Sequence, residues 1–159
     1  MERVSFDPIL PATPKVFILG TMPGKQSLRK QQYYANHRNS FWKIIYELTG
    51  AVFSENYAER IDTLKRNHIA IWDICQFGER KTSLDTDIKN EAPNPINEIV
   101  KLFPSVKQIL FNGKKAEKLY RTYFSEIANI KYETVLSTSP ANARFSLREK
   151  LNNWKTAMV

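Results

Sequence analysis

The chain has 159 residues, and its 24 Lys and Arg residues outnumber its 16 Asp and Glu residues, which gives a formal net charge of +8. Because 42% of the residues are hydrophobic, the composition excludes a disordered chain and predicts one globular domain over residues 1–159. No apolar run is long enough for a membrane helix, and the first residues lack a signal-peptide pattern. We therefore expect a cytoplasmic protein without a membrane partner.

Cysteine and histidine are too few to build a typical metal centre. Cys75 is the single cysteine, and the two histidines, His37 and His68, lie far apart in the sequence. An internal disulfide, structural zinc and an iron–sulfur cluster are therefore not expected, and neither is a cofactor. The positive charge fits a nucleic acid, another anionic surface or a role in solubility.

Hydrophobic periodicity predicts alternating strands and helices along the chain. The run KVFILG predicts a strand at residues 15–20, and a loop separates it from a helix that begins at Asn39 or Ser40 and ends before Gly50. The remaining predicted elements are, in order, a helix at 57–67, a strand at 68–75, a polar stretch without periodicity at 76–93, a helix at 96–103, a strand at 106–111, a helix at 114–124, a strand at 132–136, a loop at 137–144 and a helix at 145–158.

This order predicts an α/β fold with a central four-stranded parallel sheet that helices cover on both faces. In such sheets, ligands bind outside the carboxyl ends of the strands. The site is therefore expected in the four loops that follow the strands, at residues 21–38, 74–93, 112–114 and 137–144.

The first of these loops combines basic residues with aromatic ones. Lys25 and Arg29 supply charge for phosphates, and Tyr33 and Tyr34 offer flat surfaces for unpaired bases. An ordinary loop whose two tyrosines cap the core has the same composition. The glycine-containing start of the loop lacks the endings typical of P-loops and dinucleotide-binding loops. The Ser- and Thr-rich loop STSPAN is a second candidate for phosphate binding.

Four segments together resemble one known family. They are GTMPGKQSLRKQQYYANHRNSFWKII, HIAIWDICQFGERKTSLDTDI, ILFNGKKA and STSPAN, which occur in this order and extend the similarity over roughly residues 4–156. The chain resembles the uracil-DNA glycosylase superfamily, and within it the hypoxanthine-DNA glycosylase branch. The resemblance implies a three-layer α/β/α domain, a DNA partner, a monomer and cleavage of the N-glycosidic bond of a damaged base that is flipped out of the helix.

The resemblance also implies two catalytic candidates. Many relatives carry Asp or Asn where this chain has Met22, a side chain that cannot orient water, so catalysis is assigned to Asn39, whose amide oxygen would position the water. A helix cap is the alternative role for Asn39. Asp73 stands where uracil-specific relatives read the base with asparagine; it either accepts from the N1–H of hypoxanthine, stabilises positive charge on the sugar, or fixes a loop.

Base-binding residues follow from the same alignment of motifs. Phe41 matches the aromatic residue on which relatives stack the flipped base, and Tyr33 or Tyr34 matches the wall of the base pocket. Met22 belongs to this set because it lies in residues 20–24, which match the first motif of the superfamily. Asn112 either faces the base or has a structural role. Trp42, which follows Phe41 in the NSFW segment, is expected in the core.

The loops around the site carry the candidate DNA contacts. Ser and backbone groups of the STSPAN loop would meet the leaving purine or phosphates, and the chain has no His in this loop, unlike uracil enzymes. Arg144 or Phe145 is the candidate side chain for the gap left by the flipped base. The full expected DNA-binding set is Gly24, Lys25, Arg80, Ser83, Lys114, Ser137, Ser139, Pro140, Asn142 and Arg144.

These features predict a monofunctional, metal-independent DNA glycosylase that prefers hypoxanthine and leaves an abasic site. Three alternatives stay open: a mismatch-type uracil or thymine glycosylase, a member of the same fold that binds DNA without catalysis, and a small-molecule enzyme. The sequence further predicts that the basic residues near the strand ends concentrate the positive charge on one face. These residues are Lys25, Arg29, Lys30, Arg38, Arg80, Lys81, Lys114 and Arg144.

Overall fold

The structure is a computed structural model that describes residues 4–158. It contains the helices and strands that the periodicity predicts, together with one further helix and two further strands. In chain order they are β1 (Val16–Gly20), α1 (Lys25–Lys30), α2 (Phe41–Thr49), α3 (Tyr57–Arg66), β2 (Ile69–Asp73), β3 (Cys75–Glu79), β4 (Lys89–Pro93), α4 (Ile96–Val100), β5 (Gln108–Asn112), α5 (Lys114–Tyr123), β6 (Lys131–Val135) and α6 (Leu147–Ala157).

Four of the strands form the predicted parallel sheet, in the order β2-β1-β5-β6. The register places Gly20, the last residue of β1, beside Asp73, the last residue of β2. Asn112 ends β5 and lies beside Val135, the last residue of β6. The three polar or glycine positions therefore meet at one edge of the sheet, which is the edge where parallel sheets bind ligands.

Both faces of the sheet are covered because its central strands are apolar on both sides. Phe17 and Leu19 of β1 pack into a core with side chains of α4 and α5. The alternate residue Ile18 points to the opposite face, where α2, α3 and α6 bury residues such as Trp42 and Trp154. The molecule is therefore the predicted three-layer α/β/α sandwich, and Trp42 lies in its core as expected.

The sequence prediction was wrong between residues 74 and 93. The strand predicted at 68–75 ends at Asp73, and the chain then forms a second sheet in which β3 and β4 pair in antiparallel orientation. The pairing shifts register on both sides of Phe77. Such irregularities remove the period of two on which strand prediction depends, which explains why this segment reads as a loop. A short helix, α1, likewise occupies part of the predicted first loop.

The ends of the helices agree with the predicted caps only in part. Gly50 terminates α2 with a positive φ of 72°, as a C-terminal glycine should. Ser40 is the N-cap of that helix without a side-chain cap bond, and Asn39 instead accepts from the Phe41 N–H. Within residues 4–158, no helix has both the length and the apolar character required to span a bilayer.

Candidate active site

A cavity of about 400 Å³ opens at the carboxyl ends of β1, β2 and β5. Gly20, Asp73 and Asn112, the last residues of these strands, line its inner part. Its walls come from residues 21–39, 80–85 and 137–141. The loops singled out from the predicted topology thus meet around one space, and its volume is in the range of small-ligand sites.

Asp73 presents a buried carboxylate to this cavity. The residue is 4% exposed, and within residues 4–158 no group donates a hydrogen bond to its carboxylate. Burial, together with the nearby charge of Asp85, raises the pKa of Asp73 to about 7, although the Arg80 guanidinium acts in the opposite direction. A buried carboxyl group that accepts no hydrogen bond from residues 4–158 and titrates near neutral pH is typical of a binding or catalytic site.

Gly20 allows this carboxylate to approach the backbone of β1. A Cβ atom at position 20 would lie 2.6 Å from Oδ1 of Asp73 and 3.0 Å from the hydroxyl oxygen of Tyr34. The first contact is shorter than real Cβ contacts and the second is tighter than most of them, so a larger residue would displace the Asp73 carboxylate and crowd the Tyr34 hydroxyl. Gly20 therefore keeps the Asp73 carboxylate and the Tyr34 hydroxyl together at the end of the sheet.

The aromatic residues lie differently from the arrangement that the resemblance implies. Phe41 is fully buried and does not line the cavity, because the ring of Tyr34 stacks on it with centroids 3.9 Å apart. The stacking of a base on Phe41 stays a prediction, and it would require the Tyr34 ring to move. Tyr34 lines the cavity, and Tyr33 does so only with its flank, since its hydroxyl donates to the Asp7 carbonyl.

Asn112 links two loops instead of offering free groups to a base. Its amide nitrogen donates to Thr138 Oγ1 at 3.0 Å and to the Tyr34 hydroxyl at 3.3 Å, and its amide oxygen accepts from the Thr138 N–H at 3.0 Å. The following Gly113 has a φ of 98° and leaves room for Ser137, which would lie 3.1 Å from a Cβ atom. Of the two open roles for Asn112, the structure therefore favours the structural one.

Asn39 combines a structural contact with a position in the cavity wall. Its amide oxygen accepts from the Phe41 N–H at 2.9 Å, which is the capping role that the sequence left open. Within residues 4–158 its amide nitrogen has no hydrogen-bond acceptor, and the residue lines the cavity. A carbonyl oxygen has two lone pairs, so the contact with Phe41 leaves one for a water molecule.

The first motif forms the rim next to Asp73. Met22 lines the cavity and packs against the core, with its sulfur 3.4 Å from the point where a Cβ on Gly78 would lie. Gly24 faces Ser83, whose Oγ would be 3.5 Å from a Cβ at position 24. The first loop and the 80–85 segment are therefore in contact across this rim.

Asp85 is a cavity residue that the sequence did not reveal. Its Oδ1 accepts from Thr21 Oγ1 at 2.8 Å and from Arg80 at 3.2 Å, and burial raises its pKa. Arg80, with only 5% of its side chain exposed, also donates to the Pro23 carbonyl at 2.7 Å. Arg80 therefore links two loops in this structure, and its phosphate contact stays a prediction. Asp85 escaped notice because it lies in the stretch without periodicity.

The predicted DNA-binding set divides into two groups. Asn142 donates to the Ser137 carbonyl at 3.1 Å and lies outside the cavity wall, as do the exposed Lys114 and Arg144. Lys150, which the sequence analysis missed, is buried and donates to the Ser139 carbonyl at 3.3 Å. The predicted members that do line the cavity are Gly24, Lys25, Arg80, Ser83, Ser137, Ser139 and Pro140.

In the part of the chain that the structure describes, no three His, Cys, Asp or Glu side chains are arranged to hold a metal ion. The cavity is instead lined by amides, hydroxyls, two carboxyl groups and aromatic surface. Such groups can orient a planar heterocycle by hydrogen bonds and position a water molecule beside it.

Comparisons with known proteins agree with this architecture. The family model described as the uracil DNA glycosylase superfamily matches residues 8–158. Proteins named hypoxanthine DNA glycosylase from Methanosarcina barkeri and Methanosarcina acetivorans are 37% and 34% identical, and the matches cover 99% and 98% of this chain and 98% and 97% of theirs. A solution NMR structure from Methanosarcina acetivorans, provisionally described as a uracil DNA glycosylase, superposes with a TM-score of 0.82 at 32% identity and covers 99% of this chain and 96% of that one. The chain therefore belongs to the uracil DNA glycosylase superfamily.

Proposed function

We propose that this chain is a DNA glycosylase that removes a deaminated base, preferably hypoxanthine, and leaves an abasic site. The observation that carries the proposal is the carboxylate of Asp73, which is buried, lacks a donor within residues 4–158 and faces a cavity of about 400 Å³. Membership of the superfamily and the two relatives named for hypoxanthine support the same activity. We propose further that it acts as a single-domain monomer.

Asp73 provides the means to recognise the base. In its ionised form it accepts a hydrogen bond from the N1–H of hypoxanthine, whereas adenine presents an acceptor at N1 and is repelled. Uracil also carries a donor, its N3–H, so this contact alone admits both deaminated bases. Because the pKa of Asp73 is raised to about 7, a protonated fraction is present at neutral pH and can donate to the O6 carbonyl.

Hydrolysis needs a water molecule near the sugar carbon that holds the base. Asn39 lines the cavity, and its amide oxygen keeps a lone pair with which to position this water. The glycosidic bond breaks, the sugar carbon gains the hydroxyl of the water, and the departing base gains the proton. Asp73, if it does not read the base, would instead stabilise the positive charge that develops on the sugar.

Positive groups at the cavity rim bind the DNA backbone in this proposal. Lys25 and Arg29 of α1 line the cavity and are exposed, so their charges are available to phosphates. Ser139 and Pro140 line the opposite wall, where the hydroxyl and backbone groups contact the damaged strand. Flipping the base costs unstacking energy, which these contacts must offset.

A panel of duplexes tests the function. The protein is incubated with DNA that holds a single inosine, uracil, or thymine opposite guanine, and abasic sites are then cleaved with alkali. We expect inosine to be excised fastest and no strand cleavage before alkali. Faster excision of uracil would indicate the mismatch-type enzyme, and salt-sensitive DNA binding without base release would indicate a non-catalytic member, which Met22 and the lack of His in STSPAN permit.

A further inference from the structure

Large apolar side chains are exposed at seven places within residues 4–158, and one of these places is the cavity rim. Leu84 is 46% exposed and lines the cavity, whereas none of the other six does. Among the exposed large apolar side chains of residues 4–158, Leu84 is therefore the one placed to contact a ligand in the cavity. The other six are Leu28, Val52, Phe53, Leu102, Tyr123 and Leu147.

The turn that carries Leu84 satisfies both polar groups of its backbone. The Leu84 N–H donates to Thr82 Oγ1 at 3.1 Å, and the Leu84 carbonyl accepts from the Asp87 N–H at 3.1 Å. The Thr82 hydroxyl in turn donates to the Asp87 carboxylate. Because the Leu84 N–H and carbonyl each have a partner within the turn, the apolar side chain is the main group that this residue presents to a ligand.

This turn is attached to the first motif at two points. Asp85 accepts from Thr21, and Arg80 connects Asp85 to the Pro23 carbonyl. The Arg80 charge also compensates that of Asp85, so the turn does not add an unpaired buried carboxylate beside the DNA. Leu84 is therefore held at a fixed place relative to the loop on which the damaged nucleotide would rest.

The loop that was expected to fill the DNA gap has no comparable side chain at the cavity. Arg144 and Phe145 do not line it, and the Arg144 guanidinium lies over the Phe145 ring, 5.1 Å from its centroid. Ala141 is exposed and lines the cavity, but its side chain is a single methyl group. Asn142 contacts the Ser137 carbonyl, within its own loop.

We propose that Leu84 is the wedge of this protein, the side chain that enters the base stack and fills the gap left by the flipped nucleotide. This inference rests on the proposed function, since only a base-flipping protein creates such a gap. Apolar side chains at such gaps stabilise unstacked, kinked duplexes. The basic residues Lys25 and Arg29 at the same rim would hold the phosphates on either side.

The test compares excision of inosine from a duplex with excision from the same lesion placed in an unpaired bubble. We expect Leu84→Ala to lower kcat/KM on the duplex by about tenfold or more, because the flipped state loses its support. On the bubble, where the base is already unstacked, the loss should shrink to about twofold or less. Leu84→Met should restore most of the duplex activity, and Leu102→Ala, the same change at an exposed leucine away from the cavity, should match the wild type on both substrates.

A second readout separates this inference from the proposed function. 2-Aminopurine placed next to the lesion brightens when its stacking is disrupted, so wild-type binding should raise its fluorescence and Leu84→Ala should not. If the wild type releases no base, the proposed function is wrong, and the fluorescence still reports whether Leu84 opens the stack. Equal losses on duplex and bubble, or a Phe145→Ala variant that shows the duplex-specific loss while Leu84→Ala does not, would overturn the assignment.

Discussion

At the scale of single residues, Asp73 is the group through which we expect the site to respond to pH. Its carboxyl group is buried, and the neighbouring Asp85 adds to the effect of burial, so that its pKa rises from the usual value to about 7. If Asp73 contacts the base as proposed, its charged form accepts a hydrogen bond from the base and its neutral form donates one. Base recognition should then depend on pH in the physiological range through this one side chain.

We predict that kcat/KM for inosine excision increases with pH through about 7 and levels off above it, because the ionised carboxylate is the form that accepts from N1–H. Asp85→Asn removes a nearby negative charge and thus lowers the pKa of Asp73, so the midpoint of the profile should move to lower pH. The amide oxygen at position 85 can still accept from Thr21. A profile that is flat from about pH 5 to about pH 9 would contradict the role of Asp73, and Asp62→Asn, at an exposed ion pair, serves as the control.

Asn39 has two roles that mutation can separate. Asn39→Ala should lower turnover by about a hundredfold or more because the water loses its acceptor. The lost contact with the Phe41 N–H should reduce the free energy of unfolding by only about 1 kcal/mol. Asn56→Ala removes a similar contact, with the Glu59 N–H at the start of α3, and should cost comparable stability without loss of turnover. Near-normal turnover of Asn39→Ala in single-turnover assays would locate catalysis elsewhere.

At the scale of elements, the site depends on the close approach of strand ends and loops. Gly20 at the end of β1 meets Asp73 at the end of β2 and Tyr34 from the first loop. Gly113, just after β5, meets Ser137 after β6. Two glycines at neighbouring strand ends thus let three loops converge on the cavity.

Gly20→Ala should lower inosine excision by about tenfold or more, since its Cβ would lie 2.6 Å from the Asp73 carboxylate and force it out of place. We also expect a loss of about 1 to 3 kcal/mol in the free energy of unfolding, as for other overpacked sites. Gly50→Ala is the matched control: its φ of 72° carries backbone strain, but its Cβ would meet open space. Urea unfolding should show a loss for both variants, and activity should fall only for Gly20→Ala; unchanged activity there would contradict the proposed contact.

The sequence predicted the parallel sheet because its strands are short, apolar and separated by helices with regular periodicity. It did not predict the β3–β4 hairpin, whose register shifts around Phe77 abolish alternation. The candidate site was likewise only partly predictable from the sequence. Asp73 and Asn39 follow from their places in motifs that resemble the family. The Thr21–Asp85 contact joins residues 64 positions apart, and the Arg80–Asp85 pair lies in the segment without periodicity, so both become visible only in three dimensions.

At the scale of the whole molecule, the predicted concentration of charge needs one refinement. Of the eight basic residues expected at the site, three line the cavity: Lys25, Arg29 and Arg80. Arg80 is paired with Asp85 and buried, so it does not add a free charge to the rim. Of the net charge of +8, the free positive charge at the cavity therefore comes mainly from Lys25 and Arg29, the exposed basic residues of α1 that line it.

We predict that replacing Lys25 and Arg29 by Gln weakens DNA binding. The plot of the logarithm of the binding constant against the logarithm of the salt concentration has a negative slope, and its magnitude should decrease by about 2, one for each lost phosphate contact. Fluorescence anisotropy with a labelled duplex at several salt concentrations measures this slope. Lys15 and Lys107 are exposed and precede β1 and β5, at the opposite edge of the sheet. The same double replacement there should leave the slope unchanged, and equal effects of both pairs would show that the charge acts without regard to position.

Direct detection of the released base tests the central claim, that the cavity around Asp73 excises hypoxanthine from DNA. Wild-type protein in excess is mixed with an inosine duplex, and free hypoxanthine and the remaining strand are quantified by mass spectrometry over time. We predict one hypoxanthine for each abasic site, an uncut strand before alkali, and strongly reduced release by Asn39→Ala. Saturated DNA binding without any free hypoxanthine would contradict the central claim. So would faster release of uracil from the matching uracil duplex.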